Sequence, residues 1–587
     1  MPDQNVFAGQ STYIPSVNIT VNTSALTPVG TGPIVVGLMG IAQGGVPNTP
    51  TTLYTSQQAM ALLRGGDLLE ATLRAFQPSD VQPGASKIVV VRVNPAVQAT
   101  GTLLDGSSGN TIALTSANYG ALDNGISVNI AAGSVSGTKA TVNFNGTGSN
   151  PGTQALSYVS DNILKNSFTL LYTGSSVSAT ATINETTLTT TTTIGGAENL
   201  NISFASFPTV AQLVTYINTA YPTLYTAVVT TTNPNDPTLN GLDHITTQTI
   251  KTTAYQVTAN VNAIISAINL SGIVTAVRAP STTGLLPANQ TILLSGGSEG
   301  TTTNTQWQSA VTAMSTQAVN LEVVLSGTST VWGYLASSVA SVSANGLYAR
   351  RGIVGTSSGQ SESTISANVT SAAALNNDRI AFVTQGINDI DPLTGSTTLF
   401  PGYIVAAQLA GLMAGSPVGT SITNVELKGQ SCEWNPSTAD LQTMIAGGIL
   451  PLQFTPIFNY IRVVRGISTW LKDNNFFRVE FATGLAIDQT VQMLMVGLQP
   501  LIGQGVTTLT LNRIASLTAS ILADALTLGY IVGTPSNPLG YTSITVTGSG
   551  DTATVAFTAA FIIPLNFINV NITATSYQGI VTTQVAV

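Results

Sequence analysis

The sequence predicts an α/β body interrupted by an all-β insertion, followed by a C-terminal α+β region and flanked by extended strands at both ends. Three observations carry that prediction. Continuously apolar runs of strand length, "PIVVGLMG" and "KIVVVRV", alternate with helical periodicity early in the chain, and the same rhythm returns after residue 290. Between these parts lies a Thr-, Ser-, Asn- and Gly-rich segment of short alternating stretches. The ends alternate apolar with polar residues, as half-buried strands do.

Taken in order, residues 1–25 form an N-terminal extended arm. In "SVNITVN", Val17, Ile19 and Val21 point one way and Ser16, Asn18, Thr20 and Asn22 the other. Residues 26–96 and 291–420 make the split α/β domain. After its first strand, "TSQQAMALLRG" opens with Thr55 or Ser56 as N-cap, and Asp67 to Glu70 in "DLLEATLRAF" have capping-box spacing ahead of Leu69, Leu73 and Phe76. Residues 97–290 are the insertion, one or two β-rich domains whose polarity suits an outward-facing position. "GISVNIAAG" and "KATVNFNG" read as strands, and one helix is expected, with Val210, Leu213, Val214 and Ile217 on one face.

Beyond "TILLSGGSEG", a helix presents Trp307, Ala310, Val311 and Met314, and "VNLEVVL", "RGIVGT" and "RIAFVTQG" supply three more buried strands. Residues 421–565 are the C-terminal α+β domain. Its helices are expected to bury Val491, Leu494, Met495 and Leu498, then Leu511, Ile514, Leu517, Ile521, Ala525 and Leu528 before a stop at Gly529. Residues 566–587 close the chain as a second arm. There Ile568, Val570 and Ile572 oppose Asn569, Asn571 and Thr573.

At 587 residues the chain has ample capacity to bury several cores. Only 7% of its residues are charged, against roughly 25% in an average soluble domain. A surface hydrated by Ser, Thr and Asn repels its own copies weakly, which favours crowding into an assembly. The net charge of -8 and scattered Lys and Arg give no basic stripe, so nucleic acid is not an expected partner. Cys432 stands alone, which excludes an intrachain disulfide, and one Cys with one His cannot build a thiolate-rich zinc site. The start, "MPDQNVFAGQ", has no signal-peptide pattern, and apolar stretches such as "YIVAAQLAGLMAG" fall short of a membrane span; no membrane insertion is expected.

Motifs that could carry chemistry have plainer readings. Gly355-Thr356-Ser357-Ser358-Gly359 fits G-x-S-x-G after a strand, but the sole histidine, His244, lies in the insertion, so a strand-exit loop is expected. "LSGGSEG" lacks the ending of a phosphate-binding loop and reads as a turn before a helix. Asp389 and Asp391 lack EF-hand spacing and read as a solvated loop rather than a Ca²⁺ site. No catalytic residue, cofactor or metal is expected. Arg350-Arg351 and the group Arg462, Arg465, Lys472 and Arg478 are the densest positive features. They read either as surface solubility or as docking charge for an acidic partner.

The ordered series resembles the contractile tail sheath protein of bacteriophages and related contractile injection systems. The resemblance rests on "STYIPSVNI" followed by "GPIVVGLMGIAQGGVPNTPTTLYTSQQAMALLRGG", then "KIVVVRV", "NYGALDNGISVNI", "LLSGGSEG" with Trp307 downstream, and "FPGYIVAAQLAGLMAG". "NNFFRVEFATGLAIDQTVQMLMVGLQPLIGQG" and "VAFTAAFIIPLNFINVNI" complete it, over about two thirds of the chain. "YGALDNG" departs from the aromatic-Gly-Asn-Asp wording common there, and residues 135 to 290 match no landmark.

The resemblance implies a non-enzymatic virion component assembled in the bacterial cytoplasm as stacked hexameric rings around a tail tube. Its implied partners are further copies of itself, the tail tube protein, and baseplate and tail terminator proteins. It implies that both arms add strands to neighbouring subunits, with Val17, Ile19, Val21, Ile568, Val570 and Ile572 as the buried faces. A triggered contraction would then drive the tube through the host envelope. Composition alone also admits a secreted S-layer or adhesin-like protein, against which the absent signal pattern and the interrupted α/β rhythm count.

Overall fold

A computed structural model describes residues 34–146, 148, 150–344, 348–572 and 574, preceded by the backbone of two short antiparallel strands, Asn5–Phe7 and Gln10–Thr12. The N-terminal arm residues Val17, Ile19 and Val21 lie outside the described residues. The described part is mixed α/β with many sheets.

The largest sheet has six strands in the order Ile380–Val383, Arg351–Gly355, Leu321–Val324, Val36–Gly40, Ile88–Arg92, Thr51–Leu53. Neighbours run parallel except at the Thr51–Leu53 edge. Leu321 sits opposite Val36, and Val36 opposite Ile88, so residues nearly 300 positions apart in the chain share a sheet. The five strands from Val36–Gly40 to Ile380–Val383 are buried at every position, as apolar runs covered on both faces require. The helices Asp67–Phe76, Asn304–Ser315 and Gly402–Gly415 contribute to the same core. The last is apolar all round and buried on nearly every side. Gly411 lets it approach Asp67–Phe76 closely, since a Cβ there would lie 2.2 Å from the Ala75 carbonyl oxygen.

Residues 100–293 form antiparallel sheets around two further cores, one on Phe168, Leu188 and Leu213 and the other on Leu114, Val128 and Ile264. The predicted strands appear as Ile126–Ala132 and Thr138–Phe144, paired in register, and the predicted helix as Val210–Ala220. A second helix, Asn260–Asn269, was not expected. Its buried Val261, Ile264 and Ile268 follow helical spacing, but polar Asn and Ser flanks obscure it in sequence.

Polar contacts hold these sheets to the six-stranded one. Arg92, nearly fully buried, donates to the carbonyls of Gly45 at 2.8 Å and Tyr119 at 3.0 Å and pairs with Glu299. Arg64 pairs with the buried Asp123. Glu299 belongs to the "LSGGSEG" turn, so that turn anchors rather than cradles an anion.

Three local expectations need correction. Asp67 begins its helix instead of capping it: Gly66 holds the cap position without a side-chain bond, and Asp67 accepts from Tyr403 Oη at 2.9 Å. The helix containing "DQTVQMLMVGLQP" starts earlier, at Phe481, and buries Ala486, Gln489, Thr490 and Met493, leaving Val491 exposed. Its inner face is partly polar because Asp488 must meet two arginines, Arg351 at 2.7 Å and Arg379 at 3.0 Å. In the next helix, Thr508–Thr527, Ile521, Leu522 and Ala525 are buried while Leu528 is exposed.

Arg350-Arg351 is not a surface feature. Arg350 is fully buried, paired with Glu322 and donating to the carbonyls of Met314 and Ser315 at 3.1 and 2.9 Å. Burial pushes the Glu322 carboxyl up from its ordinary range, and Arg350 opposes that rise.

Candidate inter-subunit surface

After the Thr508–Thr527 helix, the strands Thr545–Ser549 and Thr552–Ala556 form an antiparallel hairpin, from Thr545 opposite Ala556 to Ser549 opposite Thr552. Neither strand has a further partner among the described residues, so backbone donors and acceptors line both edges. An apolar groove of about 260 Å³ lies beside it, lined by Leu498, Ile502, Val506, Leu511, Ile514 and Val555.

The chain then crosses back over the body. Tyr541 bridges Ala559 and Ile531 bridges Phe561. Ile562 donates to the Tyr530 carbonyl at 3.2 Å, and its own carbonyl accepts from Thr483 Oγ1 at 2.9 Å. Ile562, Pro564 and Asn566 face inward and Ile563, Leu565 and Phe567 outward, as an extended segment dictates. Ile568, Val570 and Ile572 follow. All three are exposed, and residues 566–572 form no strand among the described residues. Residues 573 and 575–587 lie outside the described residues.

The four candidate docking charges are separated by what they already touch. Arg462 is half-buried and donates only to the neutral Gln453 and Asn424, at 2.8 and 3.0 Å. Arg465 pairs at 2.6 Å with Glu480, whose carboxylate is fully buried. Lys472 and Arg478 both lie over the Trp470 ring, 4.9 and 4.5 Å from its centroid, beside the exposed Phe476 and Phe477. Arg462 and Lys472 therefore form no ion pair among the described residues, whereas Arg478 has Asp473 nearby, whose carboxyl it helps to hold below its ordinary range after the hydrogen bonds from Trp470 and Asn475.

The remaining motifs are structural. Ser357 is exposed at a strand exit, where the amides of Gly359 and Gln360 donate to Glu433. His244 packs against Gly284 within residues 100–293. Asp389 is held by Arg74 at 3.1 Å, and Asp391 shapes its own turn by accepting from Leu393 and Thr394. Asp389 is thus buried rather than solvated. No group of three or more potential metal ligands occurs among the described residues. One helical stretch, Phe481–Leu501, is long and apolar enough to cross a membrane, but more than half of it is buried in the body and it carries the paired Asp488.

No family model matches the chain. A solved structure of a sheath tail protein from Listeria innocua superposes with a TM-score of 0.54, covering 92% of this chain and 98% of that one at 13% identity, which defines the fold as that of sheath proteins. The tail sheath protein of Bacillus phage SP01 is 26% identical over 587 residues, 96% of this chain and 95% of that one. A protein of Enterococcus phage phiEF24C is 28% identical over 502 residues, 82% of this chain and 84% of its own length. Along most of its length the chain is similar to phage tail sheath proteins.

Proposed function

We propose that this chain is the structural subunit of a contractile tail sheath, which polymerises around a tail tube and contracts to drive the tube through a host envelope. Similarity along 96% of the chain to a phage tail sheath protein is the observation that carries this reading. The subunit is non-catalytic, belongs to the virion tail and works with a tail tube protein, a baseplate and a tail terminator. The S-layer or adhesin-like alternative is set aside, because relatives spanning most of the chain come from phages.

In this reading, residues 26–96 and 291–420 act as one α/β domain, residues 97–290 decorate the outside, and residues 421–565 form the sheath core with the arms 1–25 and 566–587. Val17, Ile19 and Val21 from one neighbour and Ile568, Val570 and Ile572 from another would complete sheets across subunit boundaries. The open edges of the Thr545–Ser549 and Thr552–Ala556 hairpin, the groove beside it and the exposed apolar row at 568–572 support that pairing. A head-to-tail contact of this kind does not close on itself, so it propagates into stacked rings or a helix. Arg462, Lys472 and Arg478 would face an acidic tube surface.

Contraction would be a rigid-body rearrangement. The Asp488 pairs with Arg351 and Arg379 join the C-terminal helix to the sheet and support movement of each subunit as a unit. Electron microscopy of the purified chain tests the reading. The full chain should form hollow tubes, and removal of residues 1–22 or 566–587 should leave folded monomers without tubes. Tubes persisting in both truncations would refute strand exchange.

A further inference from the structure

The C-terminal arm has a built root. Glu480 is fully buried at the start of the Phe481–Leu498 helix, and one of its oxygens collects three donors. Arg465 supplies Nη2 at 2.6 Å and Nε at 3.1 Å, and the Asn566 side-chain amide supplies the third at 2.9 Å. The same guanidinium lies 5.9 Å from the centroid of the Phe567 ring. One turn into the helix, Thr483 holds the Ile562 carbonyl. The contacts to Ile562, Asn566 and Phe567 reach across more than 75 residues of sequence to a six-residue stretch of the tail. Beyond it, residues 568–572 make no hydrogen bond among the described residues.

A buried carboxylate is costly unless donors compensate it, so placing one under the tail is a specific device. Arg465 alone would neutralise the charge. Asn566 adds a charge-assisted bond that selects one register of the tail, because a slip by one residue would bring Asn566 to the outer face.

Resting on the sheath reading, we infer that Glu480 and Arg465 are positioning residues that clamp Asn566 and Phe567, so that the arm pivots after Phe567 and leaves each subunit from a fixed point in a fixed direction. The residues from 568 onward then lie beyond the clamp. Arg465 serves the clamp rather than a tube surface, which separates it from Arg462, Lys472 and Arg478. Releasing the clamp moves the pivot back to the Ile562 contact and lengthens the free arm by five residues.

The test uses the full chain with Asn566→Leu, which keeps the side-chain size but cannot donate, and Asn569→Leu beyond the pivot as control. Dilute protein is digested with proteinase K and the resistant core weighed by mass spectrometry. The wild-type and N569L cores should end at or just past residue 567. The N566L core should end near 562, with cutting between 562 and 567 about tenfold faster, as loss of one hydrogen bond to a charged group implies. Thermal melting should fall only slightly, since one bond is a small part of the total in a chain of this size, whereas the yield of tubes by electron microscopy should fall about tenfold. A wild-type boundary in N566L, or tubes of unchanged yield and geometry, would overturn the clamp. Failure of the wild-type chain to form tubes at all would instead overturn the sheath reading and leave the digestion result standing.

Discussion

In the six-stranded sheet all five residues of Val36–Gly40 are buried, and even the charges Glu322 and Arg350 are fully enclosed and paired. At the C-terminal end, Leu565, Phe567, Ile568, Val570 and Ile572 are between 72% and 85% exposed. The same residue types thus meet opposite fates. The sheet satisfies its apolar and backbone groups within one chain. The tail and the nearby hairpin leave theirs open in an ordered array, and a contiguous exposed apolar row marks an interaction surface. Under the sheath reading, the contrast separates what holds a subunit together from what would join it to its neighbours.

Breaking the enclosed pair should give the largest effect. Glu322→Ala leaves Arg350 buried with only the carbonyls of Met314, Ser315 and Gln317 around it. Removing one partner of a buried ion pair costs about 3–5 kcal/mol. Those carbonyls partly solvate the guanidinium, which places the expected loss near the lower end. Urea titration of the monomer should show the shift, whereas a loss under about 1 kcal/mol would mean that the pair is not structurally required.

That pair also shows where sequence reading succeeds and fails. The parallel strands were legible because strands buried on both faces spell out continuous apolar runs, and the helix faces at Trp307 and Val210 were legible through their spacing. The burial of Arg350-Arg351 was not, because their acids lie 28 and 137 residues away. A signal did exist: Glu322 interrupts "VNLEVVL", and a carboxylate in a fully buried strand demands a buried cation. The arm root was hidden for the same reason. Asn566 reads as one polar position in an alternating strand, and only the fold brings Glu480 beneath it. The arms' alternation was visible, but pairing between chains leaves no trace in a single sequence.

A smaller effect should come from Glu70, half-buried on the Asp67–Phe76 helix with one oxygen left without a partner. Burial, with Asp391 nearby, pushes its carboxyl up to about 7. The folded state therefore holds a proton that the unfolded state releases near pH 4.5, so this contribution is full below that point and is lost as pH rises through about 7. Glu70→Gln, which cannot titrate, should melt later than wild type at pH 8 and no later at pH 5. The gain should be about 1 kcal/mol after allowing for partial exposure. A difference independent of pH would show that packing, not ionisation, separates the two. Either way the sheet region meets a buried acid with an internal solution, an arginine or a proton.

The tail should respond in the reverse way, with the smallest effect on stability and the most complete effect on assembly. Val570→Asp, alone or with Ile568→Asp and Ile572→Asp, places charge where the monomer has only solvent, so unfolding should move by no more than about 0.5 kcal/mol. If that face enters a neighbour's sheet, each aspartate becomes a buried carboxylate without a partner, and no lattice contact compensates it. Tubes should disappear while the monomer melts as before. The neighbouring positions sharpen the test, because Asn569 and Asn571 alternate with this row and would face away in a strand. Asn569→Asp and Asn571→Asp should therefore still permit tubes. Equal loss from both rows would mean that the tail binds without strand register, and no loss from either would mean that cohesion resides elsewhere on the subunit.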